Sequence, residues 1–303
     1  MREVVIHLLM EALGPITHDS GTVGNESIIA QEPVDIGDGV IMVPKITGNA
    51  IRHCCVREPG GLWLRDFLGF RGDAKFANFL LSGGQPEKTE GENTLIVSEM
   101  YRLFPHFKLL GGSVKTIIKG QHDSWIGTLV CEEKRRYFEH VLPKGVVPAS
   151  RMKPAAFWTP STPLQYTRVD QSNTGHVDAP SGKGEMMIWG GQYVMAGALF
   201  HTAFHLHRAL DVDVGALLLA LRTWQESGAN LGGKKRIGHG RMKAFVYAPG
   251  VDIEKCVRAY VDHMHSVKQD ATLWLAGHFM ASVAGEQQPK GKRGRPTKHG
   301  AGA

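Results

Sequence analysis

The stretch Gly232-Gly-Lys-Lys-Arg-Ile-Gly-His-Gly-Arg-Met-Lys243 carries the densest potential chemistry in this chain. Four glycines are interleaved with five lysines and arginines, and no acidic residue interrupts them. Glycine admits positive φ and lets backbone come close to a ligand. Successive backbone N–H groups in such loops form concave anion sites, and surrounding cations add point charges suited to phosphate. The Gly-Lys-Ser/Thr ending of a mononucleotide loop is absent. Lys234, Lys235, Arg236, His239 and Arg241 are therefore placed to hold an extended polyanion; the plainer alternative is a solvated basic turn.

A second cationic point lies at Lys45, Gly48, Asn49 and Arg52, where Thr47 or Asn49 can cap a helix start. Helix N-termini favour phosphate through unsatisfied N–H groups and the macrodipole. A capped surface helix with one stray arginine fits the same residues. Farther along, Arg168 offers a cation and Tyr166 a stacking face for nucleic-acid bases. His18-Asp19 could act as a general base pair, although no second histidine stands beside it. His201, His205 and His207 share one strand face, but no acid follows before Asp211, so they read as surface or interface histidines. Asp35 and Asp38 read as polar hairpin residues. No catalytic residue, metal ligand or cofactor is assigned.

Charge sharpens this picture. The chain has 303 residues, 37 glycines and a formal charge of +6. The segment 286–303 holds five Lys/Arg against one Glu, so +4 lies there and about +2 elsewhere. A nucleic-acid surface on the body must then come from local clustering. Within that segment, Arg293-Gly-Arg-Pro296 resembles the core of an AT-hook, and generic electrostatic binding is the simpler reading. Four scattered cysteines without a Cys-x-x-Cys pair argue against a zinc ribbon and for a reducing compartment. Neither a signal-peptide core nor a membrane-length apolar run is present, so the expected location is the cytoplasm, with no membrane partner.

The elements that must position these residues follow from periodicity. A first strand runs to about Gly14-Pro15, followed by a polar loop at 18–24 and an extended segment at 27–33. Gly37-Asp-Gly39 predicts a hairpin, and the helix opening at Pro44 should stop by Glu58 because Pro59-Gly-Gly61 follows. The polar stretch 82–93 and Leu109-Leu-Gly-Gly-Ser113 read as loop and junction. Pro148 to Lys183 is proline-rich and aperiodic, an excursion with an aromatic patch at Phe157, Trp158 and Tyr166. Alternation over 200–206 predicts a strand with one apolar face. Asp211 or Asp213 can cap the next helix, whose stripe is Val214, Leu217, Leu218, Leu221 and Trp224. Gly228 ends it, a strand spans 242–247, and a last helix begins near Ile253. Residues beyond 285 read as disordered. The fold class is α+β, a ferredoxin-like sheet with large insertions.

Three segments together resemble the RAMP superfamily of CRISPR-associated proteins, in particular the backbone subunit that coats the guide RNA. Ile46-Thr-Gly-Asn-Ala-Ile-Arg52 is similar to the family's Ile-Pro-Gly-Ser-Ser-Leu-Lys helix opening. Leu109-Leu-Gly-Gly-Ser113 is similar to the Leu-Phe-Gly junction of type III backbone subunits, and 231–241 resembles the family's Gly-Gly-x-x-x-x-Gly-x-Gly signature. The divergent helix opening and basic tail lean towards type IV. The resemblance implies an RRM-like palm over 1–149 with a helical insertion, a thumb-like excursion at 150–185, the remaining palm at 186–285 and a basic tail at 286–303. It also implies as partners a crRNA, a target strand (DNA more than RNA), further copies of the chain, other effector subunits and a DinG-type helicase. Asn49-Ala50 replaces two serines of the type III pattern, and about Glu26 stands where that family has its RNA-cleaving aspartate. A non-catalytic scaffold is therefore implied. The rival within the superfamily is a metal-independent endoribonuclease using His18, and a third reading is a DNA-binding regulator acting through the tail.

Overall fold

The computed structural model describes residues 1–84, 93–114, 116–168 and 187–279. Strand β1 (Arg2–Ala12) is followed by β2 (Asp19–Val23), β3 (Glu26–Ile29), β4 (Gln31–Asp35) and β5 (Val40–Ile46). The hairpin at Gly37-Asp-Gly39 forms as expected. Ile36 N–H donates to the Gly39 carbonyl at 3.0 Å, Gly37 N–H donates to Asp35 Oδ1, and β4 pairs antiparallel with β5. The segment 18–24, read as a loop, is instead mostly β2, paired with β3. All five of its residues are exposed, so the ladder rather than apolar burial holds it, and hydropathy gives no sign of it.

Helix α1 (Gly48–Ile51) passes without a break through a π turn (Arg52–Arg57) into α2 (Glu58–Leu68). The expected stop at Glu58 is thus incorrect. Inside the π turn the Glu58 N–H reaches back five residues to the His53 carbonyl, and Pro59 falls in the first turn of α2, where a missing N–H does no harm. Gly60 serves packing rather than helix ending: a Cβ there would lie 2.2 Å from His106 Cε1. After α3 (Ala74–Ser82), α4 (Thr94–Leu103) and α5 (Pro105–Leu110) come the small hairpin β6 (Gly112–Val114) and β7 (Thr116–Ile118), then β8 (His122–Ser124) and β9 (Gly127–Leu129). Residues 85–92, part of the expected polar loop, lie outside the described residues.

Two short helices, α6 (Arg135–Val141) and α7 (Ala155–Trp158), precede β10 (Leu164–Arg168) and β11 (Met187–Gly191). Within the proline-rich segment, Met152, Ala155 and Trp158 are buried against the body, while Phe157 is exposed. Strands β10 and β11 pair antiparallel, and β11 continues onto β3. The excursion between them, 169–186, lies outside the described residues. The chain then forms β12 (Leu199–Ala209), α8 (Asp211–Glu226), β13 (Met242–Tyr247) and α9 (Ile253–Phe279).

The main sheet has the order β13-β1-β12-β9-β5-β4, with β8 also on β12. Its first four positions are the last, first, third and second strands of a βαββαβ unit, the ferredoxin-like arrangement expected from the sequence. The α+β class is confirmed. Alternate residues Ile6, Leu8 and Met10 of β1 and Phe200, Phe204 and Leu206 of β12 face the helices. There they meet Ile51, Cys55, Leu64 and the predicted stripe of α8, all of it buried. Asp213 caps α8 by accepting the Leu210 N–H at 2.9 Å, and the same oxygen receives Lys108 Nζ at 2.7 Å. Asp211 stays at the surface with Arg2 and Lys255.

Strand β12 departs from simple alternation. Leu9, Val130, Phe138, Leu142, Met152 and Leu199 form a second apolar layer across the sheet. His201 and Ala203 are therefore fully buried, and exposure begins only at His205. Among the described residues, no helix is long and apolar enough to cross a membrane.

Gly60→Ala provides a test of the helix packing. Helix propensity alone would make alanine stabilising by about 1 kcal/mol. The contact with His106 reverses the sign, and we expect a loss of about 1–3 kcal/mol in urea unfolding. An unchanged or raised midpoint would contradict the packing described.

Candidate nucleic-acid interface

The helix start is built around Thr47. Its extended backbone and hydroxyl make it the N-cap, and Oγ1 accepts the Ala50 N–H at 3.3 Å. Its own N–H donates to His18 Nε2 at 3.1 Å, and the hydroxyl lies 3.2 Å from the same nitrogen. Burial, first, and then Lys45 lower the His18 pKa, while Asp19 raises it. A neutral ring with its lone pair on Nε2 satisfies both contacts. That lone pair is the one a general base would need, and here it is used to hold the helix start.

Thr17, the neighbour of His18, holds the glycine loop. Gly233 N–H donates to the Thr17 carbonyl at 2.8 Å, and Thr17 Oγ1 donates to the Gly233 carbonyl at 3.3 Å. Gly232 has φ +85°, and a Cβ there would come within 2.5 Å of the Thr17 oxygen, so only glycine permits this approach. On its other side the loop meets the π turn. Burial raises the Cys54 thiol pKa, and the nearby Lys235 charge and a Gly232 backbone hydrogen bond oppose that rise. The two cationic segments, 180 residues apart in sequence, thus share one surface through the dipeptide Thr17-His18.

Several expected residues take up positions on this surface. Lys45 lies beside His18, and Lys235 and Arg236 are exposed on a short 3-10 turn closed by Gly238 N–H to the Lys235 carbonyl at 3.1 Å. Lys234, in a left-handed conformation with φ 57°, extends to Gly191 on β11. Thr47, Gly48, Asn49 and Arg52 line a cavity of about 360 Å³ with His122, Asp123 and Ser124. Gly48 belongs there by contact, since a Cβ would lie 2.8 Å from the Ser124 carbonyl. Arg52 Nε is buried without a hydrogen-bond partner, and burial lowers the pKa of its guanidinium. A buried charged donor left unpaired is costly.

His239 and Arg241 do not join. His239 is 7% exposed, and burial and then Lys234 lower its pKa, so it is a packed neutral ring with little surface to offer phosphate. Arg241 is exposed, but its backbone pairs with Leu13 and Asn230 at the far foot of the loop. Arg168 closes β10 on the smaller sheet. The basic tail, 286–303, lies outside the described residues. Sequence reasoning missed the structural part of His18, and it missed Thr17 altogether; nothing in the spacing marks either as a strap. It also read all three histidines of β12 as surface or interface residues, which does not hold for His201. His201 is fully buried, 3.1 Å from His7, whereas His205 and His207 meet acids from other strands, Glu3 of β1 and Asp123 of β8.

Removing either member of the capping pair, by Thr47→Ala or His18→Ala, should cost about 1 kcal/mol in urea unfolding. The double variant should cost less than the sum, since the two share one interaction. Strict additivity would separate them. A pH dependence also follows. Burial holds His201, with help from the neighbouring His7, and His122 at about 4, and His106 at about 3, below the usual 6.5. The unfolded chain protonates near 6.5 and the folded chain does not, so stability is complete above about pH 6.5 and falls as pH drops towards 4. For His201 the loss is on the order of 3 kcal/mol. His201→Gln, which cannot charge, should flatten that part of the urea-against-pH profile.

No family model matches the chain, and no curated protein sequence matches it. Solved structures do resemble it. A chain of a Type IV-B CRISPR complex aligns with a TM-score of 0.55 at 17% identity, over 82% of this chain and 92% of that one. Csc2 of Thermofilum pendens aligns at a TM-score of 0.39 and 14% identity, over 91% of this chain and 76% of that one. The protein thus has the fold found in a chain of a Type IV-B CRISPR complex, the kind of fold that its motifs resemble.

Proposed function

We propose that this chain is a non-catalytic, crRNA-binding backbone subunit of a CRISPR effector complex, stacking in several copies along one guide. The observation that carries this reading is the shared surface built by Thr17-His18, which brings Lys45, Asn49, Arg52, Lys234, Lys235 and Arg236 into one region. Phosphate contacts of this kind position a strand without reading its bases, as a subunit accepting any guide requires. The fold shared with a chain of a Type IV-B CRISPR complex supports the same reading. Head-to-tail stacking uses a heterologous interface that does not close. Other effector subunits would complete the particle, which would pair with a complementary strand, DNA more than RNA, and work with a DinG-type helicase. The endoribonuclease reading is weakened because His18 spends its Nε2 lone pair on Thr47.

Purification from cells expressing repeat-containing RNA should yield discrete small RNA in a particle much larger than the 33.2 kDa chain. Fluorescence anisotropy with RNAs of unrelated sequence should give similar affinities. Arg52→Ala, Lys235→Ala and Arg236→Ala should weaken all of them alike, each lowering the log–log salt slope by about 0.7. Deletion of 286–303 should leave most of the affinity. A chain that binds no RNA, or loses all binding with the tail, would refute the scaffold; cleavage of the RNA in EDTA, abolished by His18→Ala, would establish the rival.

A further inference from the structure

Glu3, His205 and His207 lie at the end of the sheet face opposite the helices, where the second apolar layer no longer covers it. One ligand atom from each falls within 4.8 Å of the others. Glu3 Oε2 is 3.0 Å from His205 Nε2 and 2.9 Å from His207 Nδ1, and the two imidazole centroids are 4.3 Å apart. We propose that these three side chains bind a divalent late transition metal, zinc in type, through two imidazole nitrogens and one carboxylate oxygen.

Strand pairing builds the cluster. Between Val4↔Leu206 and Arg2↔Ala209 the register slips, so that His207 and Arg208 together oppose Glu3. Arg208 takes the left-handed φ of 50° that this bulge demands. The bulge turns two groups towards one carboxylate: His207 Nδ1 faces Glu3 Oε2, and the Arg208 N–H donates to Glu3 Oε1 at 3.0 Å. His205, two residues before His207, is on the same face and directly opposite Asp123 of β8. The ligands therefore sit on paired strands, which hold geometry better than loops do.

The outer contacts fit a metal site independently. Asp123 Oδ2 lies 2.8 Å from His207 Nε2. A carboxylate on the far ring nitrogen of a ligating histidine sets the tautomer, here leaving the Nδ1 lone pair directed at the metal position. Asp123, first, and Glu3 raise the His207 pKa, so a metal would compete with a proton for Nδ1. Metal–ligand bonds of about 2.0–2.2 Å in a tetrahedron need ligand atoms about 3.3 Å apart, so the present contacts need widen only slightly. Two imidazoles and one carboxylate disfavour calcium and magnesium, which prefer all-oxygen shells. Three protein ligands leave at least one position for water or an incoming group.

The test uses the full-length chain, freed of metal with EDTA and titrated with Co²⁺. The expected result is one equivalent bound with visible ligand-field absorption, displaced by Zn²⁺ and not by Mg²⁺. His205→Ala and His207→Ala should each abolish the absorption while circular dichroism stays unchanged; His207→Gln serves if the alanine variant unfolds. Asp123→Asn should weaken affinity about 10–100-fold while the spectrum persists, because Asp123 orients a ligand without being one. Absence of stoichiometric binding, or binding indifferent to His205 and His207, would overturn the proposal.

Discussion

Thr17 and His18 are consecutive, and their hydrogen bonds point to opposite ends of the candidate surface. One holds the backbone of the glycine loop, and the other holds the N-cap amide of the long helix. Each bond is worth only about 0.5–1.5 kcal/mol in net stability. Their importance is positional. The loop also meets the helix at Cys54, and loops on separate tethers would not keep cations in register. The small energy sits where a small displacement would separate the cations of the loop from those at the helix start.

That strap works because the sheet beneath it is rigid. Strand β1 is the shared member of two antiparallel ladders, one to β12 and one to β13, and the chain leaving β1 leads directly into Thr17. Apolar layers cover both faces of β12 over most of its length, so the strands cannot tilt independently. Neutral histidines occupy the middle of the second face, where His7 and His201 stack at 5.3 Å and Trp125 and Tyr137 complete the packing. Rings that are apolar in body and polar at one edge suit a layer that grades from core to solvent.

Elements with a strong period were legible in the sequence. The stripe of α8 is buried as its spacing implied, the Gly37-Asp-Gly39 hairpin formed, and Thr47 capped its helix. Strand β2 was invisible because none of its side chains is buried, and its existence depends on a ladder with β3. The helix through Pro59 was misjudged because local propensity says stop, while packing of Gly60 on His106 and the π turn say continue. At the candidate site, composition singled out the loop and the helix start that the structure brings together through Thr17-His18. Only pairing registers could show that Glu3 and Asp123 reach β12, since these acids lie on two other strands remote in sequence.

The π turn has one further consequence. An α-helix advances about 100° per residue, so the one extra residue accommodated between Arg52 and Arg57 rotates everything after it by that amount. Arg52 can thus face the cavity at the helix start while Pro59, Gly60 and Gly61 are still buried about two turns later. A relative with an uninterrupted α-helix here would have to lose one residue between these points, or give up either the cation or the glycine contact. Segment length in this short stretch is therefore a trait on which close relatives of this protein can be sorted by eye.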